Sequence, residues 1–198
     1  LMLQNHMIRS KLLPKIKLGN CLRELAIYGK AQLILTMCLA EAEKDMANDG
    51  NDEKMYVHAL TSLAVLNQAQ SNYSKAKELY EKALPIARQI QSSPSSLWLA
   101  GIIAGYAETL RKSGDLPLAE KLHKEALEIR DLASQEGACT ELELAVSYTQ
   151  LGCTQQGMKR YEEAYAQHRS ALNCRVKYLD FSHGLVSESL NYTAESLS

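Results

Sequence analysis

No stretch of the 198-residue sequence approaches the roughly 20 apolar residues a membrane-spanning helix needs, which argues against membrane insertion. The opening residues Leu1-Met2-Leu3-Gln4-Asn5-His6 lack the charged-then-apolar order of a secretory signal, so a cytoplasmic location is expected. No two cysteines form a Cys-x-x-Cys pair. The five, Cys21, Cys38, Cys139, Cys153 and Cys174, are odd in number and widely spaced, which disfavours structural zinc and favours free thiols in a reducing compartment. A Gly-rich phosphate loop, a nucleophile elbow and a metalloprotease signature are also missing, so no enzyme activity, cofactor or metal is expected. Nor is there an excess of positive charge. With 22 Lys and Arg against 23 Asp and Glu, the net charge of -1 argues against nucleic acid as a partner, because phosphate binding needs a dominant basic stripe. The charge is local instead: Arg9, Lys11, Lys15, Lys17, Arg23 and Lys30 precede an acidic stretch at Asp45, Asp49, Asp52 and Glu53.

What is present is repetition. The stretch from Asn72-Tyr73-Ser74-Lys75-Ala76 to Ala83-Leu84 returns as Gly114-Asp115-Leu116 running to Ala126-Leu127, and again as Arg160-Tyr161 running to Ala171-Leu172. Superimposing Ala76 on Ala119 and Ala164 gives steps of 43 and 45 residues. Tyr28-Gly29-Lys30-Ala31 is a weaker copy 45 residues before Tyr73-Ser74-Lys75-Ala76. Such a period marks stacked supersecondary units. Within each unit apolar residues recur at three and four rather than two, so each reads as two helices and a tight turn, with almost no support for strands. Leu60, Leu63, Ala64 and Leu66 stripe one helix, Ser71-Asn72 turns the chain, and Ala76, Leu79, Tyr80, Ala83 and Leu84 stripe the next. Ile103, Tyr106, Ala107 and Leu110, the turn Ser113-Gly114-Asp115, and Ala119, Leu122, His123, Ala126 and Leu127 repeat the arrangement. Pro117 fits the first turn of its helix, with Asp115 placed to cap it. Pro85 predicts a kink or early stop, and Pro14 a first helix that is short or begins there.

The expected repeats are about 12–45, 57–90, 98–133 and 140–179, with a partial or capping helix over 185–198, all in one domain, 1–198. Polar breaks at 91–96, 134–137 and 180–184 are the inter-repeat loops. Two columns of small residues explain how paired helices approach: Gly19, Ala64, Ala107, Gly152 and Ala194 on the first helices, answered by Ala31, Ala76, Ala119 and Ala164 on the second. His123 and His168 share a column with Tyr80, so they are expected to fill packing slots, and Trp98 to pack against the preceding helix.

These segments resemble the tetratricopeptide repeats, in particular the longer variety of kinesin light chains and nephrocystin-like signalling proteins. The resemblance rests on Lys159-Arg160-Tyr161-Glu162-Glu163-Ala164, on Glu125-Ala126-Leu127-Glu128-Ile129-Arg130, and on the segment from Phe181 to Ala194. It covers the chain from about Leu12 to the end. The implied fold is all-α, a right-handed superhelical solenoid of helix-turn-helix repeats. The implied function is an adaptor or scaffold that binds a short peptide in a concave groove lined by the first helices. The family's paired groove asparagines are mostly replaced: Lys17, Thr61 and Ser62, Ala104 and Gly105, and Thr149 and Gln150 stand there, while Asn191 remains beside Tyr192.

Groove candidates are therefore Asn20, Arg23, Val65, Gln68, Glu108, Arg111, Lys112, Thr149, Gln150, Cys153, Gln156, Asn191 and Glu195. Amide side chains there suit an extended peptide backbone, and Arg23, Arg111 and Lys112 suit an acidic segment, resembling the uptake of short acidic cargo motifs by kinesin light chains. A structural or regulatory arm of a larger signalling protein, bound in cis or self-associating through exposed repeat ends, stays open as the alternative.

Overall fold

The computed structural model describes residues 2–49, 53–91, 93–180 and 182–196, without the side chains of 2–11, 48 and 49. The side chains of Arg9, Lys11 and Asp49, together with Asp52, Ser92, Phe181 and the last two residues of the expected capping helix, lie outside the described residues. Among the described residues every regular element is helical. One compact unit, residues 1–92, holds α1 (Met2–Glu24), α2 (Tyr28–Asp49), α3 (Glu53–Ala69) and α4 (Tyr73–Ile90). A second, residues 93–198, holds α5 (Leu97–Ser113), α6 (Leu116–Gln135), α7 (Glu141–Gly157), α8 (Tyr161–Val176) and α9 (Gly184–Glu195). Within each unit consecutive helices pack on one another, and alternate helices touch as well, α1 on α3 and α5 on α7. The chain is an all-α solenoid of repeated helix-turn-helix units.

The turn inside each helix pair has the same backbone solution four times. Ala26, Ser71, Gly114 and Lys159 all have positive φ, at 58°, 60°, 94° and 62°. Around each, the following residue donates its N–H five residues back and the turn residue itself three back. Ile27 bonds Leu22 and Ala26 bonds Arg23, Asn72 bonds Asn67 and Ser71 bonds Gln68, Asp115 bonds Leu110 and Gly114 bonds Arg111, and Arg160 bonds Gln155 and Lys159 bonds Gln156. This left-handed closure satisfies the last carbonyls of one helix and reverses the chain into the next.

Side chains then lock each pair. Ala31, Ala64, Ala76, Ala107, Ala119 and Ala164 are completely buried, as the two small columns require, whereas Ala194, the last member of the first column, is exposed. Where glycine stands in the column, the facing knob leaves no room for a Cβ: one on Gly19 would lie 2.6 Å from Leu35 Cγ, and one on Gly152 2.6 Å from His168 Cε1. Leu35, Tyr80, His123 and His168 form one buried column, so both histidines occupy packing slots. Trp98 is half-buried in the first turn of α5.

Neighbouring pairs are joined by other columns. In the first unit Leu12, Ile16, Leu35, Cys38 and Ala42 of the first pair share one apolar cluster with Ala59, Leu63 and Leu66 of α3. In the second, Arg130 of α6 donates to the Ser147 hydroxyl of α7, and Arg175 of α8 donates to the Ser189 hydroxyl of α9 and to the Leu185 carbonyl at 3.1 Å. Glu120 of α6 accepts from Lys124 at 2.8 Å, Arg160 at 2.7 Å and Gln155 at 3.2 Å. Burial opposes its charge, but these donors outweigh burial and hold the carboxyl below the usual carboxylate range.

Three local expectations are corrected. α4 runs unbroken through Pro85 to Ile90, so no early stop occurs. The proline ring is exposed while Ala83, Leu84 and Ala87 around it are buried, and that packing holds the helix across the missing bond. α1 likewise passes through exposed Pro14 with Leu12 and Ile16 buried on either side, so it is neither short nor begun by the proline. Asp115 sits at the N-cap of α6, but its side chain makes no capping bond. Its ψ of 68°, set by the preceding left-handed turn, differs from the extended value of Ser96 and Thr140, whose side chains do cap α5 and α7.

Candidate functional site

The exposed edges of the first helices carry the candidate residues, and each unit is described by itself. In the first unit Asn20 of α1 donates from Nδ2 to Ser62 Oγ of α3 at 3.1 Å, so it ties the two helices together. Gln68 of α3 accepts from the Tyr80 hydroxyl at 3.3 Å. Burial pushes the Tyr80 phenol well above its usual range, and the nearby Arg23 charge draws it back only in part. Arg23 donates to Glu24 at 3.2 Å, while its Nε is buried without a partner. Val65, on α3, is half-buried.

In the second unit the strongest feature is a fork on α5. Arg111 donates from Nε and Nη2 to the two carboxylate oxygens of Glu108, at 2.8 and 2.7 Å. Lys112 stands 4.0 Å from the same carboxylate and is half exposed. The hydrogen bonds to Glu108 raise the Arg111 pKa, with its burial opposing. Arg111 in turn faces Cys153 of α7 and Tyr192 of α9. Burial pushes the Cys153 thiol up, and the Tyr192 phenol is pushed up first by Cys153 and then by its own burial. Three helices thus bring Glu108, Arg111, Cys153 and Tyr192 into one polar cluster. Tyr192 also stacks on His168, ring centres 5.0 Å apart and 14° from parallel.

Around that cluster the other candidates differ in what they have left to offer. Thr149 donates its hydroxyl to the Ala145 carbonyl at 2.9 Å, within its own helix. Gln150 holds its Oε1 buried without a hydrogen-bond partner. Gln156 reaches Glu195 of α9 at 3.5 Å, and Asn191 is exposed. Reading the sequence missed Tyr192 and Tyr80 as members of these clusters; both were assigned elsewhere, Tyr80 to the core and Tyr192 to a neighbour of Asn191. The i,i+3 spacing of Glu108 and Arg111 was the available signal for their pairing.

Among the described residues no group of three or more His, Cys, Asp or Glu side chains is placed to hold a metal ion. All five cysteines are free thiols. No helix among the described residues is long and apolar enough to cross a membrane.

Residues 57–131 match the tetratricopeptide repeat family model. No curated protein matches the chain. Several solved structures do. BtubC (BKLC) from P. vanneervenii is 20% identical, with a TM-score of 0.77 over 96% of this chain and 72% of that one. A Podosopora anserina protein described as a kinesin light chain with nearly identical TPR-like repeats is 17% identical, with a TM-score of 0.76 over 94% of this chain and 85% of that one. A signal transduction ATPase with a tetratricopeptide repeat sensor from Pyrococcus horikoshii is 19% identical, with a TM-score of 0.73 over 94% of this chain and 27% of that one. At these identities the likeness speaks to the fold. Tetratricopeptide repeats are thus supported over residues 57–131, and such repeats generally mediate protein–protein interaction.

Proposed function

We propose that this chain is a protein-interaction module of the kinesin light chain-like kind, holding a short extended segment of a partner against the polar faces of α5, α7 and α9. The observation that carries the reading is the convergence of Arg111, Cys153 and Tyr192 from three successive first helices, with Glu108, Gln150, Gln156 and Asn191 around them. Amide side chains offer paired donors and acceptors to a peptide backbone, and the half-exposed Lys112 adds a positive field at the rim.

The fork shapes the selectivity. Glu108 already satisfies Arg111 in the bidentate geometry that a ligand carboxylate would use. An acidic partner residue must displace Glu108 or settle for Lys112, so the preference for acidic segments is moderate and set by Glu108. Titrating fluorescein-labelled acidic peptides by fluorescence polarisation at two salt concentrations tests this. Micromolar binding is expected, weakened by Arg111→Ala and by Lys112→Glu, strengthened by Glu108→Gln, and reduced by salt. Binding that ignores salt and all three substitutions removes the groove reading.

A second reading is favoured by the likeness to the signal transduction ATPase, of which this chain covers 27%. In it the domain is a regulatory or structural arm of a larger protein, its groove occupied in cis. A mass that rises with concentration in light scattering, without peptide binding, favours a self-associating form of that arm.

A further inference from the structure

Of the four prolines, Pro14, Pro85 and Pro117 lie inside helices and follow Leu13, Leu84 and Leu116. Pro94 differs on both counts. It stands in the loop between α4 and α5, and the residue before it is Ser93. Both are exposed and outside any helix. A residue ahead of proline is held in extended backbone, and the proline itself has no amide proton to donate. An exposed, extended hydroxyl followed by such a residue has the shape taken by protein kinases whose cleft accepts proline next to the acceptor. The neighbouring hydroxyls are already committed. Ser95 is half-buried and donates to Glu136, and Ser96 caps α5 by accepting from the Leu99 N–H at 3.3 Å.

The Ser93 hydroxyl heads a short relay within the second unit. Its Oγ lies 3.0 Å from Ser95 Oγ and accepts the Ser95 N–H at 3.4 Å, while Ser95 Oγ donates to Glu136 Oε2 at 2.6 Å. Because the single Ser95 hydroxyl proton goes to Glu136, Ser93 is the donor between the two serines. Glu136 is the C-cap residue of α6, so the relay ties the start of α5 to the end of α6. A phosphate on Ser93 carries about −1.5 to −2 charges at pH 7 and three strong acceptor oxygens. It stands just ahead of Ser96, where the N-terminus of α5 favours an anion, and beside the Ser95 hydroxyl and N–H. The same charge repels the Glu136 carboxylate.

We propose that Ser93 is a phosphorylation site for a proline-directed protein kinase, and that the phosphate releases Glu136 from Ser95. The γ-phosphoryl group passes from ATP to Ser93 Oγ: the Oγ–P bond forms as the bond to the β-phosphate oxygen breaks, the hydroxyl proton goes to the base of the kinase, and ADP leaves. Esterification removes the proton that Ser93 gives to Ser95. The relay then reverses, with Ser95 donating to the phosphate and Glu136 pushed into water. Ser93 precedes α5, whereas Glu108 and Arg111 lie in its last two turns, so the inference stands whether or not the groove binds a peptide.

The test incubates the full chain with a proline-directed protein kinase and ATP. Uptake of one phosphate is expected, placed at Ser93 by fragment mass spectrometry. Ser93→Ala should abolish the uptake and Pro94→Ala should slow it roughly tenfold, both with unchanged circular dichroism, since both side chains are in water. Hydrogen exchange reads the second half of the proposal. The amides of Glu136, Gly137, Ala138 and Cys139 bond back to Leu132, Ser134 and Ala133 at the end of α6, and phosphorylation should speed their exchange several-fold. In a Glu136→Gln variant, which lacks the like charge, phosphorylation should change that exchange less. No uptake, uptake that survives Ser93→Ala, or uptake indifferent to Pro94→Ala overturns the site, and unchanged exchange at 136–139 overturns the release of Glu136.

Discussion

Replacing the turn residues tests the geometry on which every helix pair depends. Ala26, Ser71 and Lys159 hold φ near 60°, a conformation in which a Cβ crowds the following carbonyl, whereas glycine stands at the fourth equivalent position, Gly114. The left-handed conformation costs a non-glycine residue ~1–2 kcal/mol. Substitution by glycine removes that cost but increases the entropy of the unfolded chain by ~0.4–1 kcal/mol. The difference predicts that Ala26→Gly, Ser71→Gly and Lys159→Gly each stabilise their unit by roughly 0.5–1 kcal/mol. Gly114→Ala should destabilise by about the same amount. A Cβ on Gly114 would meet no heavy atom within 4 Å, so its effect isolates the backbone term from any steric one. The turns share no hydrogen-bond partners, and the effects of the three glycines should add. Urea unfolding followed by circular dichroism reads the result. A neutral Gly114→Ala, or three glycines that leave the midpoint unmoved, would show that the turns are not under this strain.

Three further predictions address the side chains between helices. Burial pushes the His123 imidazole from 6.5 down to about 4, so the folded chain keeps it neutral while the unfolded chain takes up a proton below 6.5. Its contribution is fully present above pH 6.5 and is lost as the pH falls toward about 4, amounting to ~3 kcal/mol at most at about 1.4 kcal/mol per pH unit. His168 is lowered for the same reason and acts in the same direction. His123→Tyr, the residue of the same column in α4, should flatten the acid loss in urea midpoints measured between pH 7 and 5. Arg175→Ala removes the donor to Ser189 and to the Leu185 carbonyl and should cost roughly 2–3 kcal/mol, with faster amide exchange concentrated in α9. Unchanged exchange there would mean that α9 is held by other contacts. Gly152→Ala brings a Cβ to 2.6–2.8 Å from three atoms of the His168 ring and should overpack the pair by ~1–3 kcal/mol, less the helix-propensity gain of ~1 kcal/mol. In a double-mutant cycle with His168→Ala the two should couple by about 1 kcal/mol or more, and simple additivity would refute the contact.

The repetition was legible because the positions that repeat are the ones that geometry restricts most. Ala31, Ala76, Ala119 and Ala164 mark places where only a small side chain fits, and all four are fully buried. The left-handed turn was hidden because three of its four residues are not glycine. At Pro85 local propensity allowed an early stop and at Pro14 a helix start, and packing of the residues flanking them carried the helix through instead. The Arg130–Ser147 and Arg175–Ser189 links escaped notice because loops of different length put the partners 17 and 14 residues apart, which breaks the regular period. At the candidate site the sequence identified which helix faces carry polar groups. It did not reveal that Arg111 is already held by Glu108, nor that Tyr192 reaches across to Cys153.

A comparison of columns within the chain separates architecture from function. The small columns, the buried knob column and the left-handed turn keep their physical role in every pair, since each is dictated by how closely two helices must approach and how the chain must reverse. The exposed columns of the first helices obey no such demand and change from pair to pair: Asn20, Val65, Glu108, Cys153 and Glu195 occupy one, and Arg23, Gln68, Arg111 and Gln156 another. If those side chains were only a solvated surface, their unlike chemistry would have no reason to be organised. Instead Asn20 bonds Ser62, Glu108 grips Arg111, Arg111 faces Cys153 and Tyr192, and Gln156 meets Glu195. An ordered polar face presents fixed donors and acceptors at low entropic cost to a ligand, which is the physical basis of the peptide-binding reading proposed for it.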